Sequence, residues 1–179
     1  MGTSAETDEA LAARARAGDR AAFGELVARF ALPLAAFARR RLGDPEESTD
    51  VAQATFVRAL ETIGGLREPR AVRGWLYGIA LNECRRRRRG IARLETALRA
   101  WLDHRSARER AALDPDEGDV ARAALAELPE RQRLAVELRV LEGLTCDEAA
   151  LALGCTTGTV KANLHHGLAK LRARLGGDA

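Results

Sequence analysis

Apolar side chains recur along this chain mostly at the three- and four-residue steps of an amphipathic helix, and strand-like alternation is nearly absent. Two pairs of helix-stop and helix-start signals divide the first third of the chain. Gly18-Asp19 and Gly43-Asp44-Pro45 each join a helix-ending glycine to an aspartate that suits the N-cap of the next helix. The pattern predicts helices over about 19–41 and 45–63, and the fold class we expect is all-α.

The second of these helices should end at Gly64-Gly65. The side chains that lie on or near its expected inner face are Val51, Ala54, Thr55, Leu60 and Ile63. A short loop follows, and then a helix predicted over about 71–88, which ends in a run of five arginines. Apolar residues at helical spacing continue from Ile91 to Leu102.

The C-terminal part carries the sharpest local motif. Thr145 and Glu148 have the spacing of a capping box, and the helix that they start should stop at Gly154. Thr156 suits the N-cap of a further helix, whose buried stripe is predicted to be Val160, Leu164, Leu168, Leu171 and Leu175. Two helices joined by so short a turn predict a helix-turn-helix, a motif whose second helix enters the DNA major groove.

A cluster of acids with one proline and one glycine, Asp114 to Asp119, is the clearest linker signal. We therefore expect a first domain over 7–90, a partly helical linker over 91–118 and a second domain over 119–175. Within the second domain the pattern predicts helices over about 119–127, 130–142, 146–153 and 157–175.

Composition adds a candidate partner. The chain has 179 residues, 46% of them apolar and 31% charged, which suffices for a folded core. Residues 64–110 carry 13 basic and 5 acidic side chains, whereas residues 111–130 carry 1 and 6. A basic segment of this kind indicates nucleic acid as a partner. The acidic N-terminus and the lack of a long uncharged apolar run predict a cytoplasmic chain without membrane insertion.

Several blocks of sequence, in order, resemble the extracytoplasmic-function (group IV) sigma factors of bacterial RNA polymerase. In the first half these blocks are Gly18–Phe23, Asp50–Leu60 and Gly74–Asn82; in the second half they are Leu128–Gln132, Glu142–Thr145 and Gly154–Lys161. The resemblance covers almost the whole chain. It implies two helical domains on a linker, the first binding core RNA polymerase and the promoter −10 element and the second reading the −35 element. It also implies an initiation factor that helps strand opening, with core RNA polymerase and promoter DNA as partners. Many members of the family are also held by an anti-sigma factor.

The resemblance assigns candidate residues to three surfaces. The polymerase-binding candidates are Asp44, Glu46, Glu47, Asp50, Gln53 and Phe56. The −10 candidates are Arg67, Arg70, Arg73, Trp75, Tyr77, Asn82, Arg85, Arg86, Arg87 and Arg88. The −35 candidates are Thr157, Thr159, Lys161, Ala162, Asn163, His165 and His166. Arginines suit phosphates by counterion release, and Lys161 and Asn163 suit base edges in the major groove.

The residues alone leave purely structural roles open for several of these candidates. Trp75 and Tyr77 also fit a core position, and the polar face of the last helix also fits a solvated surface. Cys146, Cys155, His165 and His166 have ligand chemistry that suits zinc, but their spacing is unlike that of a zinc finger, so we expect no metal and no cofactor. No enzyme motif is apparent.

Two other functions remain as alternatives. The main one is a stand-alone helix-turn-helix regulator that binds duplex DNA without polymerase. The other is a sigma mimic that only titrates a partner. In this chain Ser48 and Thr49 stand where the family often has a further acid, and we hypothesise that phosphorylation of either hydroxyl restores negative charge to the polymerase-binding helix.

Overall fold

The computed structural model describes residues 6–102 and 117–175, and within them every regular element is helical. An N-terminal unit contains α1 (Asp8–Arg16), α2 (Arg20–Leu42), α3 (Pro45–Thr62) and α4 (Val72–Leu102). A C-terminal unit contains α5 (Glu117–Glu127), α6 (Glu130–Val136), α7 (Cys146–Leu153) and α8 (Thr157–Leu175). Two 3₁₀ turns, Ile63–Gly65 and Pro69–Ala71, join α3 to α4, and a π-helical turn, Glu137–Leu141, extends α6. The predicted all-α class is confirmed.

The caps that were predicted from sequence form as expected. The carboxylate of Asp19 accepts hydrogen bonds from the amides of Ala21 and Ala22 at 2.9 and 3.1 Å, and Asp44 caps α3 in the same way. Gly43 ends α2 in the left-handed conformation, with φ 79°. Because a side chain at that φ is strained, glycine is the residue that lets the chain reverse into α3.

Helix α2 forms the centre of the N-terminal unit. Leu26, Phe30, Leu34 and Phe37 follow one another at three- and four-residue steps and are all buried. Among the described residues, α2 is the one helix whose length and apolar character would suit a membrane span. Its buried stripe packs instead against α1, α3 and α4, as in the core helix of a water-exposed bundle.

Helix α4 is much longer than predicted. The sequence predicted an end near Arg88, but the helix continues to Leu102. The apolar residues from Ile91 onward keep helical spacing, and a lone Gly90 costs too little to break a helix. The five arginines therefore lie inside the helix rather than at its end. Of the acidic linker cluster, Asp114 to Asp116 lie outside the described residues, and α5 already begins at Glu117.

The helix-turn-helix of the C-terminal unit agrees closely with its prediction. Thr145 Oγ1 accepts from the Glu148 amide at 3.2 Å, and the Glu148 carboxylate accepts from the Thr145 amide at 2.7 Å. Gly154 then turns the chain at φ 63°, and Thr156 Oγ1 accepts from the Thr159 amide. One predicted core position is wrong. Leu175 is 52% exposed because α8 has passed beyond the bundle at its last residue, whereas Gly167 is buried, facing Val136.

The two units pack against each other along α4 and α7. A Cβ atom added to Gly74 would lie 2.8 Å from Glu148 Cα, and one added to Gly78 would lie 3.3 Å from Ala152 Cα. Backbones approach this closely only where side chains are absent or small. One cluster of buried side chains runs from the N-terminal unit into α6, α7 and α8.

Two leucines of α2 test this description of the core. Leu34 is fully buried and Leu32 is 82% exposed. Leu34→Ala should lower the free energy of unfolding by about 2–5 kcal/mol, because it leaves a cavity in the bundle. Leu32→Ala, on the same helix, should change it by no more than about 0.5 kcal/mol. Urea denaturation followed by circular dichroism measures both; equal losses would show that α2 is not the core helix.

Candidate functional site

Helix α3 carries the acidic candidates, and only some of them are free. Asp44 is the N-cap, so its carboxylate is used within the helix end. Glu47 and Asp50 accept hydrogen bonds from the guanidinium of Arg87 on α4, at 2.7 and 3.0 Å. Glu46 is exposed. The acidic patch predicted from sequence is thus partly neutralised by an arginine that was itself predicted to bind DNA.

One face of α3 forms a continuous exposed stripe. Glu46, Asp50, Gln53, Val57 and Leu60 follow one another at steps of four, three, four and three residues, and all are exposed. Val57 and Leu60 expose 60% and 56% of their surface. The stripe therefore passes from an acidic end to an apolar end, and we call it the α3 stripe.

Leu60 was predicted to face the core, and that prediction is wrong. Val51, Thr55 and Ile63 fill the inner face, and Leu60 lies on the opposite side. Phe56, predicted at the polymerase surface, is half-buried and packs against the core. The steps of three and four residues from Glu46 to Leu60 are visible in the sequence and place Leu60 on the polar face of α3. The residue type alone favours a core position for a leucine.

The phosphorylation hypothesis is wrong for Ser48. This residue is 2% exposed, and its hydroxyl donates to the carbonyl oxygen of Asp44 within the first turn of α3. A kinase has no access to such a hydroxyl while the helix is folded. Thr49 is exposed and its hydroxyl bonds only to the Pro45 carbonyl oxygen, at 3.1 Å, so the hypothesis stands for Thr49 alone.

Of the −10 candidates in the loop between α3 and α4 and at the start of α4, some are exposed and one is hydrogen-bonded within the protein. Arg67 and Arg70 are exposed, and the loop is fixed at its base by Arg16, which donates to the carbonyl oxygens of Leu66 and Arg67. Arg73 instead donates to the carbonyl oxygen of Glu142 in the C-terminal unit, at 2.9 Å.

The aromatic candidates belong largely to the core. Tyr77 is 2% exposed, and its ring packs edge-on against Phe37 with centroids 5.4 Å apart. Its hydroxyl donates to the Glu142 carboxylate at 2.6 Å, and burial raises the pKa of this phenol above its ordinary value. Trp75 is half-buried on the same cluster. Asn82 is exposed.

The five consecutive arginines do not form one patch. Successive helical residues point about 100° apart, so the run wraps around α4. Arg86, Arg88 and Arg89 are exposed, and Arg87 reaches α3. The half-buried Arg85 and the exposed Arg88 each line a cleft with the C-terminal unit. Arg86 is 67% exposed and pairs with Glu83 one turn earlier.

The second helix of the helix-turn-helix presents an open face and a covered one. Lys161, Ala162, His165 and His166 are exposed and lie one turn apart in pairs. Asn163 is half-buried and donates to the Thr159 carbonyl oxygen at 2.9 Å. Thr157 donates to Asp147 at 2.7 Å. In this conformation Asn163 is therefore not directed at a base, and the open face is formed by the other four.

A cleft of about 210 Å³ joins the covered face of α8 to the N-terminal unit. Arg85, Arg131, Thr159 and Asn163 line it. A residue of the arginine run and two residues of the predicted −35 helix thus share one cleft.

The metal alternative finds no geometric support in residues 6–102 and 117–175, where no three side chains of His, Cys, Asp or Glu gather in a ligating arrangement. His165 and His166 have ring centroids 5.7 Å apart with edge-to-face planes. Cys84 is buried, which raises the pKa of its thiol to about 11. A thiol held protonated in this way is chemically inert.

Comparison with known proteins agrees with this arrangement. The family model described as Sigma-70 region 2 matches residues 26–94, and the model described as Sigma-70, region 4 matches residues 119–171. The RNA polymerase sigma-H factor of Pseudomonas aeruginosa is 32% identical over 89% of both chains. The RNA polymerase sigma factor CnrH of Cupriavidus metallidurans is 33% identical over 97% of both chains. This chain belongs to the extracytoplasmic-function sigma factors.

Similarity to solved structures extends over both units of this sigma factor. CnrH, in its complex with the cytosolic domain of CnrY, matches with a TM-score of 0.69 at 32% identity, over 97% of this chain and 100% of that one. The sigma factor RpoE of Bartonella quintana, in complex with the anti-sigma factor NepR, gives a TM-score of 0.69 at 23% identity, over 88% of this chain and 98% of that one, which is a likeness of fold. Sigma factors are transcription initiation factors that direct core RNA polymerase to promoters, so a stand-alone regulator is not favoured.

Arg87 and Arg86 of this sigma factor should respond differently to removal. Arg87→Ala should lower the free energy of unfolding by about 1 kcal/mol, because it loses two ion pairs worth about 0.2–1 kcal/mol each. Arg86→Ala loses only an exposed contact and should cost no more than about 0.5 kcal/mol. Thermal unfolding at low and high salt measures both. The Arg87 effect should shrink at high salt, and an Arg87→Ala chain as stable as the parent at low salt would contradict the α3–α4 link.

Proposed function

We propose that the α3 stripe is the main contact of this chain with core RNA polymerase. At its acidic end Glu46 is exposed and Asp50 shares its charge with Arg87, so that Glu46 carries most of the charge that suits a basic partner surface. At its apolar end Val57 and Leu60 expose hydrophobic surface to water. Exposed apolar side chains beside charges are typical of a binding surface. The observation that supports this proposal most directly is the exposure of Val57 and Leu60 on α3, a helix within the residues that match Sigma-70 region 2.

The exposed arginines of the N-terminal unit are proposed to bind the promoter around the −10 element. Arg67 and Arg70 stand on the loop before α4, and Asn82, Arg86 and Arg89 stand on its open face. Guanidinium groups can bind phosphates of a displaced strand and stack on its bases. Arg87 is tied to α3 and Tyr77 to the core, so we assign them to holding α4 in place rather than to DNA.

The open face of α8 is proposed to read the −35 element in the major groove. Lys161 suits guanine or a phosphate, and His165 and His166 offer further donors and acceptors one turn apart. The small side chain of Ala162 lets the helix backbone come close to the DNA between these residues. Asn163 joins this set only if its bond to the Thr159 carbonyl oxygen is exchanged for a base.

We further infer that this chain acts in the cytoplasm, has no enzymatic activity of its own and is held by an anti-sigma factor. The structures of CnrH with CnrY and of RpoE with NepR are complexes of this kind. These two complexes support the inference of an anti-sigma partner.

Run-off transcription with core polymerase tests the proposal as a whole. A promoter selected from a randomised library in the presence of this chain should yield a transcript only when chain and core are both added. Binding of the chain to duplex DNA with no gain in transcription would favour the stand-alone regulator instead.

Leu60→Ser tests the apolar end of the α3 stripe. It should weaken binding to core polymerase at least tenfold, since truncation of a hot-spot residue in an interface costs about 2 kcal/mol or more. The matched control is Arg58→Ser, on the same helix but off the stripe, where an exposed pair with Glu61 is lost. Titration of labelled chain with core enzyme measures both. Equal affinities for the two variants would remove the stripe from the interface.

The two lysines of the chain, Lys161 and Lys170, test the reading helix. Both are exposed on α8, but only Lys161 lies within its first two turns. Lys161→Ala should weaken binding to −35-dependent promoters by about 1–3 kcal/mol, or change the preferred base at one position of the −35 element. Lys170→Ala should leave the base profile unchanged. A promoter library scored for both variants decides the point, and identical profiles would contradict the assignment.

A further inference from the structure

A second cleft, of about 200 Å³, is lined mostly by arginine. Arg40 and Arg41 come from α2, Arg88 from α4 and Arg133 from α6, and Glu137 of the π-helical turn is the one acid among the described lining residues. We call this space the arginine cleft. A partly enclosed cleft in which one sign of charge prevails concentrates ions of the opposite sign, so this cleft should attract anions.

Two of the four arginines carry charge that no carboxylate neutralises. Within residues 6–102 and 117–175, the Arg133 guanidinium donates only to the carbonyl oxygen of Ala126, at 3.0 Å, and Arg88 forms no hydrogen bond or ion pair. Arg133 is also half-buried. A bond to an anion is about twice as strong as a bond between neutral groups. Both guanidiniums are therefore suited to an anion within the cleft.

Arg41 is buried, and its bonding is incomplete. Its side chain is 2% exposed, and its guanidinium carbon lies 5.9 Å from the centre of the Phe37 ring. The terminal nitrogens bond to Glu130 and Glu137 at 3.2 Å, which is longer than the roughly 2.7–2.9 Å of a good charge-assisted bond. The Nε–H group is buried and meets no acceptor among the described residues. Buried donors without a partner are rare, so a donor of this kind on a cleft-lining residue points to an acceptor on a bound ligand.

Arg40 adds a charge that is partly withdrawn from water. Its guanidinium bonds to the Glu142 carboxylate. Burial lowers the pKa of this guanidinium, and the charge of Glu137 opposes that effect. A further anion nearby would also favour the charged form.

The size of the cleft limits the ligand. Pockets for drug-sized molecules have about 300–1,000 Å³, so a cleft of about 200 Å³ suits a small group better than a whole nucleotide. The planar fork of an arginine matches the oxygens of a phosphate, and several arginines around one small space suit more than one negative charge. A phosphate or diphosphate group meets both conditions.

We propose that the arginine cleft binds a small phosphate compound, of which inorganic pyrophosphate is the simplest example, through Arg41, Arg88 and Arg133. The walls of the site come from four different helices and the π-helical turn, so the bound compound stabilises the folded chain by mass action. This inference does not rest on the proposed promoter function.

Calorimetric titration of the full chain with inorganic pyrophosphate, in metal-free buffer, tests the site. One equivalent should bind, and the temperature of unfolding should rise with the pyrophosphate concentration. Arg88→Gln and Arg133→Gln should each weaken binding about tenfold or more, because each removes a charge-assisted bond. Arg88→Gln removes no contact within the described residues, so it should keep the fold. The control is Arg172→Gln, an exposed arginine of α8 outside the cleft, which should bind as the parent does.

Two glutamates provide a matched change of the opposite sign. Glu130 and Glu127 are both 49% exposed, but Glu130 bonds to Arg41, whereas Glu127 pairs with Arg174 outside the cleft. Glu130→Gln should tighten pyrophosphate binding, because it removes an acid that competes for Arg41. Glu127→Gln makes the same change in net charge and should leave the affinity unchanged. Equal tightening by both variants would reveal a response to net charge alone and overturn the proposal.

ADP and adenosine identify the source of the phosphate group. ADP that binds as tightly as pyrophosphate would assign the site to the diphosphate end of a nucleotide, and weaker binding of ADP would assign it to free pyrophosphate; both results support the phosphate chemistry. Binding of adenosine without pyrophosphate would overturn it. So would sulfate at equal ionic strength that stabilises the parent as pyrophosphate does, or pyrophosphate affinity that Arg88→Gln and Arg133→Gln leave unchanged. None of these results bears on transcription with core polymerase, so the two proposals fail separately.

Discussion

The close crossing of α4 over α7 is the contact on which the rest of the arrangement depends. Two glycines one turn apart, Gly74 and Gly78, let the α4 backbone rest on Glu148 and Ala152. At this separation the turn before α7 brings Glu142 within reach of Arg40 and Tyr77. Helix α8 is carried by α7, so it comes to lie beside Arg85. A larger side chain at Gly74 would disturb all of these contacts together, because a close-packed interior transmits strain.

Arginine chemistry explains why such a contact can be specific while it adds little net stability. A buried ion pair gains strong attraction but pays a large desolvation cost, so its net contribution to stability is small. The pairs of Arg41 with Glu130 and Glu137 therefore favour one packing over others more than they add to its stability. A guanidinium released from a carboxylate is suited to a phosphate, since both present oxygens to the same planar fork.

Local signals in the sequence predicted the helices well, and the assembly poorly. The caps at Asp19, Asp44 and Thr145 were predicted residue by residue, because each depends on bonds within four residues. The bounds of α7 and α8 followed from the same kind of signal. The exposure of Leu60 and the burial of Ser48 were missed, since each depends on which face of α3 meets α2 and α4. The bond from Tyr77 to Glu142 joins residues 65 positions apart, and no local pattern reports it.

The arginine run shows why charge counted along a sequence is a poor guide to a charged surface. Five adjacent residues on a helix span more than a full turn, so identical side chains meet different surroundings. Arg87 is paired with Glu47 and Asp50, Arg85 lines the cleft beside Asn163, and Arg86, Arg88 and Arg89 are exposed to water. A segment with a large net charge thus presents only a fraction of that charge on any one face of its helix. Arg85 and Arg87 lie where α4 packs against the C-terminal unit and against α3.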